Sequence, residues 1–543
     1  MERRIEKTDV LVIGKGIAGL RAADEAARAG VSVTLASKGG GASPGVMGFN
    51  AATSEVDSVE SFFQDTLDSG YQLSNKKVAR RLAADANHEV AFLEELGLVF
   101  DRNPDGHYNL MQTLGSSHPR MVHYKSLTGR VAMELLLKDC QKLGVKFAEP
   151  VRILNLLDDG QGRIIGASAY DLAKNELVFF LAKAVVLATG GNGAMFSLTS
   201  YPGGINGDGY ALAYRAGAQL VDMEFQQFDP CGFIHPPALR GHVVVTTMLN
   251  EGGKLFNAQG EEFMLKNGGR YNVQKAELSR RMWLEVAGGR GTSRGGVLYD
   301  VTALPHDRVV IDHCLFYDPA LAAGVDLTKE AAEVIPVPHS CMGGLVIDEN
   351  CATTLPGLFA AGEVTGGIHG ANRIGGNAGT EIFVYGWIAG DSAAKFALSE
   401  NKSPDAESAI KKEEADYMER RKSQGQENPA DLLIKAKQAA DLGLGIVRCE
   451  KDMETCLNAV LDLQTKLGKL RIDGSEDLMA SYTLENNLTL SVMQAMAARL
   501  RQESRGVFYR SDYPEGDDQK WLKNIFISKG SDSQPDISLK AAD

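Results

Sequence analysis

The apolar residues of this chain gather into short unbroken runs, punctuated by glycine and polar residues. Val10 to Ile13 is one run and Val31 to Ala36 is the next, with the helical pattern LRAADEAARAG between them. Lys183 to Gly191, KAVVLATGG, is another, and it closes on a Thr-Gly-Gly turn. Runs this short and this apolar predict buried strands, and strands alternating with helical segments predict an α/β fold. From about Phe228 to Ile335 the pattern changes to shorter runs, scattered prolines and mixed strand and helix signals, which predicts an inserted α+β unit. After Gly390 the chain turns helix-like and charged, with KKEEADYMERRK and later LENNLTLSVMQAMAARLRQ, and charges so spaced predict solvated helix faces. The stretch from about Lys529 to Asp543 is expected to be disordered. No internal repeat interrupts this order. The division it predicts is 1–227 and 336–395 as two parts of one nucleotide-binding domain, 228–335 as a capping domain, and 396–543 as a C-terminal helical domain with a disordered tail.

The turn after the first run reads Gly14-Lys15-Gly16-Ile17-Ala18-Gly19. A glycine turn between a strand and a helix is the context a dinucleotide-binding fingerprint requires. Gly14 permits the tight turn, Gly16 lets the backbone approach a pyrophosphate, and Gly19 lets helix and strand pack closely. The helix N-terminus, from Ile17 and Ala18, offers amide donors and a favourable dipole to phosphate. The second strand ends Ala36-Ser37-Lys38, without the acidic residue that grips the ribose of NAD, which leaves FAD. Thr189-Gly190 marks a second return of the chain to the cofactor. Asp208, in Asn206-Gly207-Asp208-Gly209, opens a helix and has two readings, a helix cap and a cofactor contact.

Composition narrows the field. At 543 residues the chain exceeds one hydrophobic core, and 44% hydrophobic with 23% charged residues is ordinary for a globular protein. A net charge of −13 argues against nucleic acid as a ligand. The seven cysteines show no CxxC or clustered spacing, so no zinc or iron–sulfur site is expected and free thiols in a reducing compartment are. The segment MERRIEKTDVLVIG enters a strand without a signal-type apolar region, and no apolar run reaches about 18 residues. The expected location is cytoplasmic, with membrane contact only through partners.

The densest chemistry lies between Pro338 and Asn377, PHSCMGGLVIDENCATTLPGLFAAGEVTGGIHGANRIGGN. It holds a His before a Met-Gly-Gly turn, a strand ending in Ala-Gly-Glu, and His-Gly-Ala-Asn-Arg ahead of Gly-Gly-Asn. With the glycine fingerprint, this segment resembles the flavoproteins of the succinate dehydrogenase/fumarate reductase family, which includes L-aspartate oxidase. The resemblance implies a Rossmann-like FAD domain, a cap and a helical C-terminal domain. It also implies a reaction in which flavin N5 and a carbon beside a carboxylate exchange a hydride while a protein group moves a proton. By this resemblance Arg290, in GGRGTSRGG, is the proton shuttle, with Arg294 the competing candidate. His339 and Arg373 grip the substrate carboxylate and Thr246 adds a substrate contact. Ser37, Lys38, Glu363, Asn377, Ala378 and Gly379 join the glycines in facing FAD, and the helix starting near Thr380 aims its N-terminus at the flavin ring. His118-Pro119-Arg120 with His123 also resembles a flavin-proximal segment of L-aspartate oxidases.

Two positions depart from the family. Its Gln-Phe-His-Pro is Gln227-Phe228-Asp229-Pro230 here, and Asp229 facing a second carboxylate would repel it. This points to a non-standard substrate, either a monocarboxylate or one with a hydroxyl, amide or ammonium group; the alternative is that Asp229 points away and a neighbour such as His235 or His242 takes the histidine's place. Its covalent flavin tether, a His after the glycine loop, is replaced in Ser43-Pro44-Gly45, and no His occurs from Met1 to Asn87. FAD is therefore expected to be non-covalent. Without a cluster motif of its own, a chain of this family implies a separate iron–sulfur electron-transfer subunit. The rival readings are a stand-alone L-aspartate oxidase-like enzyme and a non-catalytic flavin electron carrier.

Overall fold

The computed structural model describes residues 4–113, 115–265, 273–400, 406–531 and 534–542. Its centre is a parallel set of strands. Arg4–Ile13 lies between Val33–Ala36 and Glu176–Leu187, with Lys146–Ala148 outside the second and Leu358–Ala360 pairing the third. The antiparallel pair Val151–Asp158 and Ile164–Asp171 extends the same sheet beyond Glu176–Leu187. Val10, Leu11 and Val12 are fully buried, as an unbroken apolar run requires when helices cover both faces. The helix Ile17–Arg28 covers one face and packs against Asn377–Ser399.

A second, antiparallel sheet, ordered Gln226–Phe233, Ala332–Cys341, Val297–Asp300 and Lys254–Phe256, builds the cap. It has its own apolar cluster, including Phe233, Met248, Leu255, Met282, Tyr299 and Val334. Gln226–Phe233 and Ala332–Cys341 are the strands by which the chain enters and leaves this sheet. Their pairing is interrupted between Gln227 and Phe228 and between Asp229 and Gly232. Such bulges re-aim side chains.

In the C-terminal part, the charged helix Glu407–Arg421 buries little beyond Ile410 and Tyr417. Ser475–Leu500 departs from a solvated face, since it is buried along most of its length beneath its neighbours. The tail expected to be disordered is instead a hairpin. Lys523–Lys529 pairs with Pro535–Ala541 and, on its other side, with Leu220–Val221, which in turn pairs Gly344–Leu345. Ile525 and Ile527 are fully buried there, which gives a polar stretch a reason to order.

Candidate active site

A cavity of about 900 Å³ lies where the glycine turn, the cap strands and the Pro338–Gly379 segment meet. Gly14 has φ +117°, and a Cβ there would lie 2.1 Å from the Ala188 carbonyl oxygen. A Cβ on Gly19 would lie 1.9 Å from the Gly14 carbonyl oxygen, so helix and strand close on each other only because both are glycine. Gly14, Gly16, Ala18, Ser37, Lys38, Thr189, Gly190, Asp208, Glu363, Ala378 and Gly379 all line the cavity. Ile17, Gly19 and Asn377 stand behind it. The Ile17 N–H donates to Ser43 Oγ at 2.9 Å. Asn377 is fully buried against Asn50, whose Nδ2 donates to its Oδ1 at 2.6 Å.

Asp208 does not cap its helix; Gly207 holds that position without a side-chain bond. Its carboxylate accepts from Lys38 Nζ at 2.5 Å, Arg152 Nη2 at 3.2 Å and Asn486 Nδ2 at 2.7 Å. Burial alone would raise its pKa, but Arg152 and Lys38 hold it well below the usual carboxylate range. Glu363 is the opposite case. It accepts from the Tyr201 hydroxyl and from Cys341 N–H at 2.9 Å, yet burial pushes its carboxyl up to about 7.

The substrate-type residues converge on the same cavity from three elements. His339, near the end of Ala332–Cys341, pairs its Nδ1 with Ser200 Oγ at 3.0 Å. Burial, with help from Lys275 and Arg373, holds its imidazole down at about 3 against the opposing pull of Asp229, so the ring is neutral. The Ser200 hydroxyl donates to the Pro338 carbonyl at 3.0 Å, so its one hydrogen serves that bond and the ring Nδ1–H donates to Ser200 Oγ. Arg373 Nη2 donates to Gln227 Oε1 at 2.8 Å and its Nη1 to the Ile374 carbonyl at 3.2 Å. Its Nε is buried and has no hydrogen-bond partner among the described residues. An acceptor at that fork is the missing half of the arrangement. A loop from the C-terminal region backs this segment, for Val507 N–H donates to the Ala371 carbonyl at 2.9 Å. Thr246 also lines the cavity, just ahead of the short helix Thr247–Asn250.

The remaining candidates are paired with neighbouring charges. Asp229 lines the cavity but is only 1% exposed, and its Oδ2 accepts from Lys275 Nζ at 2.6 Å. Its charge is therefore paired rather than presented bare to a substrate. Sequence reasoning missed Lys275, which lies 46 residues away and in no motif. Arg290 does not line the cavity. It follows a sharp turn at Gly289 and pairs with Glu285, Nε to Oε2 at 2.7 Å and Nη2 to Oε1 at 3.0 Å. Arg294 pairs with Glu333 at 2.9 Å and also stands off the lining. Arg120 is buried in an ion pair with Asp57 at 2.9 Å, a structural role, and His123 contacts Asp101 at 3.1 Å. All seven cysteines are free thiols, and no group of His, Cys, Asp and Glu among the described residues is placed to hold a metal. No described helix is long and apolar enough to cross a membrane.

A glycine-bounded cradle on a helix N-terminus, a cavity with room for a dinucleotide beside a small acid, and the orphaned buried hydroxyl of Thr189 fit FAD. Fold and site thus define an FAD-dependent oxidoreductase. The FAD binding domain family matches residues 9–378, and the fumarate reductase flavoprotein C-terminal family matches 436–543. The chain belongs to the succinate dehydrogenase/fumarate reductase flavoprotein family. It is 34% identical to one of the subunits of the fumarate reductase (CoM/CoB) of Methanothermobacter marburgensis, over 98% of this chain and 99% of that one. It is 32% identical to an L-aspartate oxidase of Yersinia pestis, over 94% and 96%. The FrdA structure of Escherichia coli quinol fumarate reductase superposes with a TM-score of 0.92 at 29% identity, covering 99% of this chain and 97% of that chain.

Proposed function

We propose that this chain is the catalytic flavoprotein subunit of a fumarate reductase-type enzyme that acts on a carbon–carbon double bond beside a carboxylate. The observation that carries the reading is the convergence of neutral His339 and Arg373, whose buried Nε has no partner among the described residues, on the cavity that the glycine cradle also lines. Bound FAD supplies the two-electron exchange. Arg373 binds a carboxylate through its unpaired N–H while Gln227 fixes the guanidinium plane. His339 adds a neutral imidazole at the same end of the cavity, held in place through Ser200. Arg290 is the proton donor we assign. Since it stands off the lining, the turn at Gly288-Gly289 must swing it inward, and Glu285 is the partner it must leave. Electrons arrive from a separate iron–sulfur subunit. That reading is supported by the naming of relatives as subunits of fumarate reductases. An L-aspartate oxidase-like activity is the second reading, supported by the 32% identity to such an enzyme.

The test is re-oxidation of a reduced viologen dye by the purified protein with fumarate, crotonate and iminosuccinate-type acceptors. Turnover with an unsaturated acid, cut by at least about two orders of magnitude in Arg373→Met at unchanged FAD content, is expected. If no unsaturated acid re-oxidises the dye, the reading is wrong.

A further inference from the structure

Asp229 occupies the place where the family's motif carries a histidine, and its carboxylate is taken up by Lys275. Lys275 is the first residue of the helix Lys275–Glu285 and lines the cavity together with Asp229, His339 and Arg373. Its ammonium has three hydrogens and one described acceptor, Asp229 Oδ2 at 2.6 Å. Asp229 in turn is fixed on its other oxygen by the Cys231 N–H at 3.2 Å, so it holds the ammonium as a bracket would. The side chain of Lys275 is 23% exposed while that of Asp229 is 2% exposed, which puts the acid behind and the amine in front.

We infer that Lys275, positioned by Asp229, binds a second carboxylate of the substrate in place of the motif's histidine. The inference rests on the fumarate reductase-type reading and sets its substrate class as a dicarboxylate. The bare acid that repels such a substrate and the bracketed lysine that attracts it make opposite demands, and the 2.6 Å contact decides between them. A dianion spanning Arg373 and Lys275 meets a cation at each end of the cavity that both residues line. The ammonium is a point charge with rotatable donors, so it serves carboxylates at more than one angle.

Malonate, a dicarboxylate with no double bond, is the probe, titrated into the FAD-loaded protein and read from the flavin absorbance, with propionate as the monocarboxylate. Wild type is expected to bind malonate at least tenfold more tightly than propionate. Lys275→Met is expected to weaken malonate by roughly tenfold to a thousandfold and to leave propionate unchanged, the scale of a lost charge-pair partner. Lys275→Arg is expected to keep most of the preference. Because Lys275→Met strands a buried carboxylate, the double variant Lys275→Met/Asp229→Asn, which buries no charge, is titrated beside it and is expected to lose malonate equally. Wild-type affinity for malonate in the double variant overturns the inference and leaves the pair a structural one. A wild type that binds neither acid overturns both this inference and the function it rests on. A wild type that binds both acids equally overturns this inference alone.

Discussion

Arg290 is held where it can do no chemistry, by a neighbour five residues away. In the pair with Glu285 the Arg290 side chain is 39% exposed and Glu285 15%, and a half-exposed pair is weak enough for a substrate-induced movement to release. Arg290→Gln is expected to lower viologen-linked turnover by at least about a hundredfold with FAD content unchanged, the usual scale for a lost proton donor. If Arg294→Gln is the inactive variant and Arg290→Gln turns over normally, the proton comes from Arg294. Single residues are also where the sequence was least legible. Asp229 read as a repulsive charge because the residue that neutralises it, Lys275, is brought there by the cap sheet and carries no motif. Arg152, which completes the pairing of Asp208 from the strand Val151–Asp158, carries no motif either. His339 and Arg373 stand in glycine-rich motifs, yet their partners Ser200 and Gln227 come from 139 and 146 residues away, which no local pattern carries.

At the scale of elements the same distinction holds. The strand, glycine turn and helix from Arg4 to Arg28 could be read directly, because close approach leaves no other residue at Gly14 and Gly19. The C-terminal hairpin could not. Nothing in the pattern from Lys529 onward is strongly apolar, and the edge that orders it is Leu220–Val221, some 300 residues earlier in the chain. The two hairpin strands differ in what they hold. Pro535–Ala541 is an outer strand, exposed along most of its length. Lys523–Lys529 buries Ile525 and Ile527, and its Asn524 Nδ2 and Ile525 N–H satisfy the buried Asp222 carboxylate at 2.6 and 3.0 Å. Deleting residues 530–543 is therefore expected to give soluble, FAD-containing protein that melts within a few degrees of wild type. Deleting 523–543 is expected to yield no soluble, FAD-containing protein, since it removes two core residues and orphans a buried acid. Equal behaviour of the two truncations in a thermal melt would contradict this account.

For the molecule as a whole, Pro44 lines the cavity in the short turn Ser43–Gly45, where the family's tethered members carry a histidine. Proline has no nucleophilic atom, so all flavin is expected in the supernatant after acid precipitation, and fluorescence staying with the polypeptide in a denaturing gel would show a tether elsewhere. The strands Gln226–Phe233 and Ala332–Cys341 are at once the two stalks of the cap and the carriers of Asp229 and His339. A stalk that also carries the ligand's contacts cannot move without changing the ligand's affinity. Whatever free energy a bound acid gains by bridging these strands to Arg373 favours one position of the cap, and that position favours the acid by the same amount. The register of this strand pair breaks beside Gln227 and Asp229, so the irregular steps of the stalk and the candidate contacts for the acid coincide.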